Sequence, residues 1–182
     1  MSRHVPKSSL VVGLTHETSL LVTPDLTVPN VSGRLAAFGD MPPVFATAFL
    51  VAFFEAACIE CLRGHLQEGE HTVGVHVDVS HVAATPVGMN VTVKVKLIEI
   101  EGRRLTFRVR AEDGTGLIGE GAHQRAIINI GGFLDRVAAK ANSGGSAWPP
   151  EQAQAEGPSR SYAAGRSSGL SNHHGRALAF RR

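Results

Sequence analysis

Apolar residues cluster in one long run in the first third of the chain, and this run predicts a central helix. Between residues 44 and 59 only Thr47 and Glu55 are polar. A helix of this composition is apolar on every side, so we expect it to be buried on every side. Two prolines precede the run, where a missing N–H costs little, and the Arg-Gly pair at 63–64 is expected to end the helix.

Alternation of period two predicts the strands. Valines occupy every second position from Val73 to Val79, with polar or small residues between them, and a pleated strand places such valines on one face. If the pleat is unbroken, His81 lies on the valine face, towards the helix, and His76 lies on the other face. Further strands are predicted at 10–23, 91–97, 105–111 and 116–130, followed by a short helix at 133–141.

The order of these elements predicts the fold class. A strand, a buried helix and four strands joined by short turns favour an antiparallel sheet wrapped around the helix, which is the α+β hotdog fold. We assign residues 13–141 to this domain, residues 1–12 to an N-terminal extension and residues 142–182 to a tail. One sheet leaves part of the helix and one sheet edge uncovered, so we expect a symmetric homodimer.

Composition locates the positive charge outside the predicted domain. The chain has 182 residues, 43% of them hydrophobic, which is enough for one domain with a core. Residues 142–182 contain five arginines and two glutamates, so the basic character belongs to the tail and does not indicate nucleic-acid binding. This tail is rich in Gly, Ser, Ala, Pro and Gln, and we predict that it is disordered.

Signals for membranes and secretion are weak. The apolar run approaches the length of a membrane span, but a glutamate near its centre and the preceding prolines disfavour this interpretation. The N-terminal sequence lacks the continuous apolar segment of a signal peptide. We therefore expect a cytoplasmic protein that does not enter the membrane.

Three polar groups point into the predicted apolar interior: Thr47 and Glu55 from the helix, and His81 from the next strand. A buried carboxylate costs several kcal/mol unless it is paired, hydrogen-bonded or protonated, so Glu55 is either a satisfied structural group or a catalytic one. A hydroxyl, a carboxylate and a facing imidazole suffice for acyl transfer to water. Without catalysis, Thr47 would be a helix cap and His81 a satisfied core histidine.

The spacing of these groups limits how they can cooperate. Thr47 and Glu55 are eight residues apart, which corresponds to about 12 Å along a helix. They must therefore flank a substrate, approach each other through irregular geometry, or meet partners from a second subunit.

Two further motifs have structural interpretations. Cys58 and Cys61 form a C-x-x-C pair, but they lie late in the helix and no second pair completes a zinc site, so we interpret them as core thiols. Glycines at 116, 119 and 121 are too frequent for an ordinary strand. They predict a bulge or a close backbone approach by a ligand.

Several separated motifs resemble the fluoroacetyl-CoA thioesterase family of hotdog proteins. The motifs are VFATAF at 44–49, Glu55, SHVAATP at 80–86, EGRRL at 101–105 and IGEGAHQRA at 118–126. The likeness runs from about residue 13 to residue 135, and the order of the motifs makes it specific. It implies a homodimeric acyl-CoA thioesterase that needs no cofactor or metal, with Thr47, Glu55 and His81 as catalytic residues.

The resemblance also implies contacts with the substrate. In this family a glycine before the histidine and an arginine on the last strand contact the substrate, and the matching positions are Gly74 and Arg125. From the residues alone, Gly74 either offers its N–H to the thioester oxygen or kinks the strand. Arg125 either binds the phosphates or pantetheine arm of the coenzyme, or forms a solvated ion pair.

The predicted acyl pocket departs from the family at one position. Phe38 matches a pocket phenylalanine, whereas Met41 stands where the fluoroacetyl-specific member has a phenylalanine gate. A flexible methionine does not reproduce a rigid aromatic lid. The resemblance therefore implies thioester hydrolysis without implying selectivity for a fluorinated acyl group.

One function hypothesis leads and two rivals remain. We expect hydrolysis of a short-chain acyl-CoA, with Glu55 as base or transient nucleophile, Thr47 positioning or attacking the carbonyl, and His81 moving the proton that the thiolate needs. The first rival is a non-catalytic hotdog module that binds acyl-CoA. The second is an enoyl-CoA hydratase, although an Asp and a His at the local spacing of that chemistry are absent.

Overall fold

The computed structural model describes residues 6–143 of the chain. The strands are β1 (Thr15–Leu21), β2 (Glu70–Val79), β3 (Asn90–Glu101), β4 (Arg104–Asp113) and β5 (Gly116–Asn129), and the α-helices are α1 (Thr47–Cys61) and α2 (Ile130–Asn142). All strand pairs are antiparallel, and the sheet order is β1-β3-β4-β5-β2. Helix α1 packs on the sheet, which is the predicted α+β arrangement.

The predicted alternation is confirmed on β3 and β4, two of the three inner strands of the sheet. Alternate residues from Val91 to Leu97 and from Leu105 to Ala111 are at most 2% exposed. The positions between them include lysines and arginines that face solvent. The apolar core therefore lies between the sheet and α1.

Helix α1 begins at Thr47 rather than at Val44, which corrects the predicted start. Val44 and Phe45 form isolated bridges with neighbouring loops, and the Phe45 N–H donates to the Thr85 carbonyl at 2.8 Å. Apolar composition does not separate a buried extended run from a buried helix. Among the helices of residues 6–143, none combines the length and apolarity needed to cross a membrane.

Within the single chain, helix α1 is buried on one side only, as expected for a sheet that leaves part of the helix uncovered. Burial of its other side against a second subunit stays a prediction. Its buried residues are Leu50, Phe54, Ala57, Cys58 and Cys61. Ala48, Ala52 and Ala56 are exposed on the other side, and Ile59 is 46% exposed. The exposed side consists mainly of small residues four positions apart, so another surface can approach it closely.

A β-bulge in β2 breaks the predicted pleat. The pairing register with β5 shifts between Gly74 and His76, so Val75 is the extra residue. Because one extra residue exchanges the two faces, Val73 lies on the opposite face from Val77. The predicted single valine face is therefore wrong, and the bulge turns Gly74 towards α1.

The start of the domain differs from the prediction. Strand β1 is shorter than the predicted 10–23, because the chain turns at Gly13, whose φ of 102° favours glycine. Leu10 is 6% exposed and belongs to the core. Packing therefore extends into the predicted N-terminal extension.

The end of the domain contains the predicted short helix. Helix α2 begins at Ile130, and the Asn129 side chain accepts a hydrogen bond from the Gly132 N–H at its start. The predicted disorder of the tail concerns residues that lie almost entirely outside the described part of the chain, which ends at residue 143.

Glycines of β5 allow β2 to approach closely. A Cβ on Gly119 would lie 2.5 Å from the Ser80 carbonyl oxygen, and a Cβ on Gly121 would lie 2.1 Å from the Asp78 carbonyl oxygen. The register between β4 and β5 shifts where Ala111 pairs with Gly119 and Glu112 with Leu117, so the predicted bulge among these glycines is confirmed. The close approach at Gly119 and Gly121 is made by the chain's own backbone, and approach by a ligand stays a prediction.

The two cysteines are free, buried thiols, which confirms their interpretation as core residues. Burial raises the pKa of Cys58 to about 12 and also raises the pKa of Cys61. Neither thiol is therefore suited to redox chemistry at neutral pH.

Truncating a core leucine should test this placement of the core. Leu97 on β3 is fully buried, with 0% exposure, so Leu97→Ala is expected to lower the free energy of unfolding by about 2–5 kcal/mol. Leu134 on α2 is 56% exposed, and Leu134→Ala is expected to change it by less than about 0.5 kcal/mol. Urea unfolding measures both variants, and equal losses would contradict the assignment.

Candidate active site

Glu55 forms an ion pair with Arg125, which connects α1 to β5. Arg125 Nη1 donates to Glu55 Oε1 at 2.8 Å. The side chain of Arg125 is 2% exposed, whereas that of Glu55 is 41% exposed. The polar residue in the apolar helix is therefore paired with a buried cation and still reaches the surface of the single chain.

Arg125 is held by protein atoms along its whole guanidinium group. Its Nε donates to the Thr72 hydroxyl and its Nη2 to the Thr72 carbonyl, each at 2.9 Å. Its Nη1 also donates to His123 Nε2 at 3.0 Å. Because Arg125 is buried, the interpretation of its ion pair as solvated is wrong. Arg125 instead holds the Glu55 carboxylate in place. Direct contact of Arg125 with the substrate stays a prediction.

His123 is a neutral acceptor with a defined tautomer. Its Nδ1 lies 3.0 Å from the His76 carbonyl oxygen, and because a carbonyl only accepts, Nδ1 carries the proton. Its Nε2 is then free to accept from Arg125. Burial, assisted by the charge of Arg125, holds the pKa of His123 below its ordinary value.

Gly74 leaves the space that the Glu55 carboxylate occupies. A Cβ at Gly74 would lie 2.5 Å from Glu55 Oε1 and 3.1 Å from His123 Cε1. Any larger residue would displace the carboxylate or the imidazole. The β2 bulge begins at Gly74, which agrees with the strand-kink interpretation, and contact of the Gly74 N–H with a thioester oxygen stays a prediction.

Thr47 and His81 form a second cluster at the start of α1. Thr47 Oγ1 and His81 Nδ1 are 2.9 Å apart. His81 meets the helix as predicted, although it lies beyond the end of β2. The N-cap residue is Ala46 and makes no side-chain hydrogen bond, so the interpretation of Thr47 as a helix cap is wrong.

The second cluster lines a cavity of about 260 Å³, together with residues that include Phe45 and Val82. The rings of Phe45 and His81 meet edge-on, with centroids 6.4 Å apart. Burial lowers the pKa of His81, although a backbone hydrogen bond at Ala83 opposes the effect. A neutral imidazole beside a hydroxyl has the arrangement of a general base.

The two clusters are separate within one chain. Within residues 6–143, the imidazole that lies beside Glu55 is that of His123, with Nε2 3.8 Å from Oε1, and a meeting of Glu55 with His81 across two protomers stays a prediction. The length of α1 separates Thr47 from Glu55, as the helical rise predicts. Among residues 6–143, no group of three or more His, Cys, Asp or Glu side chains is placed to hold a metal ion.

Phe38 and Met41 lie in the loop before α1 and do not line the cavity beside Thr47 and His81. Phe38 is half-buried at the end of a short 3-10 helix, Ala36–Phe38. Met41 is 47% exposed, and its N–H donates to the Phe38 carbonyl at 3.2 Å. Contact of these residues with an acyl group stays a prediction.

Sequence reasoning missed His123 and Thr72. His123 and Arg125 are two positions apart on one strand and therefore share a face, so this spacing was an available signal. Thr72 has no comparable signal, because its contact with Arg125 depends on how β2 pairs with β5.

Comparison with known sequences gives one consistent family. A family model described as fluoroacetyl-CoA-specific thioesterase matches residues 22–130, more than half of the chain. The fluoroacetyl-CoA thioesterase of Streptantibioticus cattleyicolor is 39% identical over 138 residues, which cover 76% of this chain and 99% of that protein.

Solved structures agree with the sequence comparison. A mutant fluoroacetyl-CoA-specific thioesterase in complex with fluoroacetate and CoA is 40% identical, with a TM-score of 0.66, covering 68% of this chain and 99% of that one. A thioesterase superfamily member from Thermus thermophilus is 28% identical, with a TM-score of 0.66, covering 75% of this chain and 98% of that one. The predicted hotdog fold is confirmed.

His123 is expected to make the stability of the fold depend on pH. Its pKa in the folded chain lies below the ordinary 6.5, so the unfolded chain takes up this proton at a higher pH than the folded chain does. The free energy of unfolding should therefore fall as the pH decreases below about 6.5, by up to about 1.4 kcal/mol per pH unit for one histidine.

Urea unfolding at a series of pH values measures this effect. His123→Gln is expected to flatten the slope, because the titrating group is removed. His16→Gln on β1, where no such burial occurs, is the control and should keep the wild-type slope. A slope in His123→Gln equal to that of the wild type would contradict the assignment.

Proposed function

The chain belongs to the fluoroacetyl-CoA-specific thioesterase family, and from this we propose that it hydrolyses a short-chain acyl-CoA thioester to the free acid and coenzyme A. A relative in complex with fluoroacetate and CoA supports an acyl-CoA as the substrate. The proposed reaction needs water and the thioester, and no cofactor takes part.

The observation that carries the proposal is the arrangement of Glu55. Its Oε1 is fixed by Arg125, and the contacts within residues 6–143 leave Oε2 for a water or a substrate. A carboxylate held by one oxygen presents the other in a defined direction. A positioned base or nucleophile needs this property.

Two routes of thioester hydrolysis can use Glu55 Oε2. As a base, Oε2 takes a proton from water while the water oxygen bonds to the thioester carbon; the C–S bond then breaks and the thiolate takes up a proton. As a nucleophile, Oε2 bonds to the thioester carbon and expels the thiolate, and water then hydrolyses the resulting anhydride. Each route consumes one water and releases one acid and one thiol.

Thr47 and His81 supply the second part of the proposed site. The neutral imidazole of His81 carries a proton between the reacting groups, and the Thr47 hydroxyl positions the thioester carbonyl. Ala46, the N-cap residue of α1, makes no side-chain hydrogen bond, so within residues 6–143 this position leaves the first N–H groups of the helix available to a substrate. Such groups, at the positive end of a helix, stabilise a developing oxyanion.

We also propose that the chain forms a homodimer through β2. This strand is at an edge of the sheet, where unpaired backbone groups can accept another strand. Val75 and Val77 on it are 53% and 42% exposed, and the exposed side of α1 adds apolar surface. In such a dimer, Glu55 of one protomer can complement the Thr47–His81 cluster of its partner.

The loop before α1 bears on which acyl groups the enzyme accepts. Met41 is 47% exposed and replaces the phenylalanine gate of the fluoroacetyl-specific member, so we propose that the enzyme discriminates weakly between fluoroacetyl and acetyl groups. A cytoplasmic location stays a prediction from the sequence.

Replacing Glu55 with glutamine should test its role in hydrolysis. The amide oxygen still accepts from Arg125 but no longer compensates its charge, so the variant is expected to fold with lower stability, which circular dichroism checks. Because the variant lacks the carboxylate, its thiol release should fall by about 10²- to 10⁴-fold. Glu68→Gln in the exposed loop before β2 is the matched control and should keep the wild-type rate. Thiol release is measured with acetyl- to octanoyl-, aryl-acyl- and fluoroacetyl-CoA.

Near-normal turnover by Glu55→Gln would remove this residue from the mechanism. If the wild type binds coenzyme A in calorimetry but releases no thiol over hours, the chain is a binding module instead. Consumption of an enoyl-CoA without thiol release would support the hydratase hypothesis.

A charged residue on the β2 edge should separate the proposed dimer. Val77→Lys places a cation on the pairing strand and is expected to halve the mass measured by light scattering. Val12 is 55% exposed and lies before β1, so Val12→Lys is the control and should remain dimeric. A wild-type mass of one chain would contradict the dimer.

A further inference from the structure

We propose that His123 is a positioning residue of this thioesterase site: as an acceptor it orients the guanidinium of Arg125, and through it the carboxylate of Glu55. The inference rests on the proposed role of Glu55 and extends it to a residue that does not itself meet the substrate.

A continuous series of hydrogen bonds connects the backbone of β2 to Glu55. The His76 carbonyl accepts from His123 Nδ1 at 3.0 Å, and His123 Nε2 accepts from Arg125 Nη1 at 3.0 Å. The same Nη1 donates to Glu55 Oε1 at 2.8 Å. A guanidinium Nη atom carries two hydrogens, so these two contacts use both of them.

The neighbours of Arg125 accept from different nitrogens of its guanidinium group. Thr72 receives the hydrogen bonds from Nε and Nη2. Only His123 and Glu55 receive hydrogen bonds from Nη1 within residues 6–143. The guanidinium is planar, so its two contacts with Thr72 leave it free only to tilt about the line that joins them. Loss of the His123 acceptor would therefore allow this tilt and move Nη1 relative to Glu55.

The surroundings of His123 require its neutral form. It is 2% exposed, and the titratable or charged groups that face it are Arg125 on β5, Glu55 on α1 and His76 on β2. Phe107 lies opposite on β4. Protonation would place a second cation beside Arg125 and convert Nε2 from acceptor to donor, so this contact would be lost.

Two substitutions separate the acceptor of His123 from its donor. In His123→Gln the amide oxygen can replace Nε2 and accept from Arg125. In His123→Asn the amide nitrogen can replace Nδ1 and donate to the His76 carbonyl, but the shorter side chain does not reach Arg125. The two variants differ by one methylene, so packing losses are similar.

Steady-state thiol release by the full-length chain is the first measurement. We expect His123→Asn to lower kcat by about tenfold to a hundredfold with KM nearly unchanged, the loss typical of a displaced catalytic group, and His123→Gln to stay within about threefold of the wild type. His16→Asn on β1 is the control and should match the wild type.

The pH profile gives a readout that a packing role would not change. In the wild type, kcat should fall on the acid side as His123 and His81 take up protons. His123→Gln should show a shallower acid limb, because one of the two titrating groups is gone, and His16→Gln should keep the wild-type limb. An unchanged limb in His123→Gln would overturn the inference.

Failure of the inference and failure of the proposed function are distinguishable. Equal kcat values for His123→Asn and His123→Gln would overturn the positioning role while hydrolysis by the wild type stands. If the wild type cleaves no thioester, the proposed function fails, and NMR of the nitrogen-labelled chain decides the inference. Arg125 side-chain signals that shift in His123→Asn but not in His123→Gln support it, and equal shifts overturn it.

Discussion

The buried guanidinium of Arg125 is the constraint on which the rest of this structure depends. A cation that is 2% exposed is tolerated only when its charge is compensated and its donors are satisfied. Glu55 supplies the charge, and Thr72 and His123 supply the remaining acceptors. The carboxylate in the apolar helix is therefore explained by the arginine beneath it.

Local features of the backbone follow from the same constraint. The bulge in β2 turns Gly74 towards α1, and the absence of a side chain there leaves the space for the carboxylate. The free φ of glycine is not the reason for its presence at this position, because the close approach of Glu55 already excludes a larger residue. The bulge in β2, the carboxylate of α1 and the buried arginine of β5 are therefore all in contact around Glu55.

The sequence predicted the fold and the residue types of the site better than their contacts. Alternating apolar residues located β3 and β4, and the apolar run located α1, because both patterns follow directly from burial. The predicted start of α1 and the predicted face of Val73 were wrong. The bridges at Val44 and Phe45 and the bulge in β2 caused these errors, because both depend on pairing between distant segments. The spacing of His123 and Arg125 indicated that they share a face of β5, but the role of His123 as an acceptor follows only from the burial of Arg125.

The central claim is that the carboxylate held by Arg125 acts on the thioester carbon. A crystal structure of the protein with a non-hydrolysable acyl-CoA thioether tests it most directly. A catalytic Glu55 requires the acyl carbon to lie about 3–3.5 Å from Glu55 Oε2, or from a water that this oxygen holds. An acyl group bound away from Glu55 of both protomers would contradict the claim.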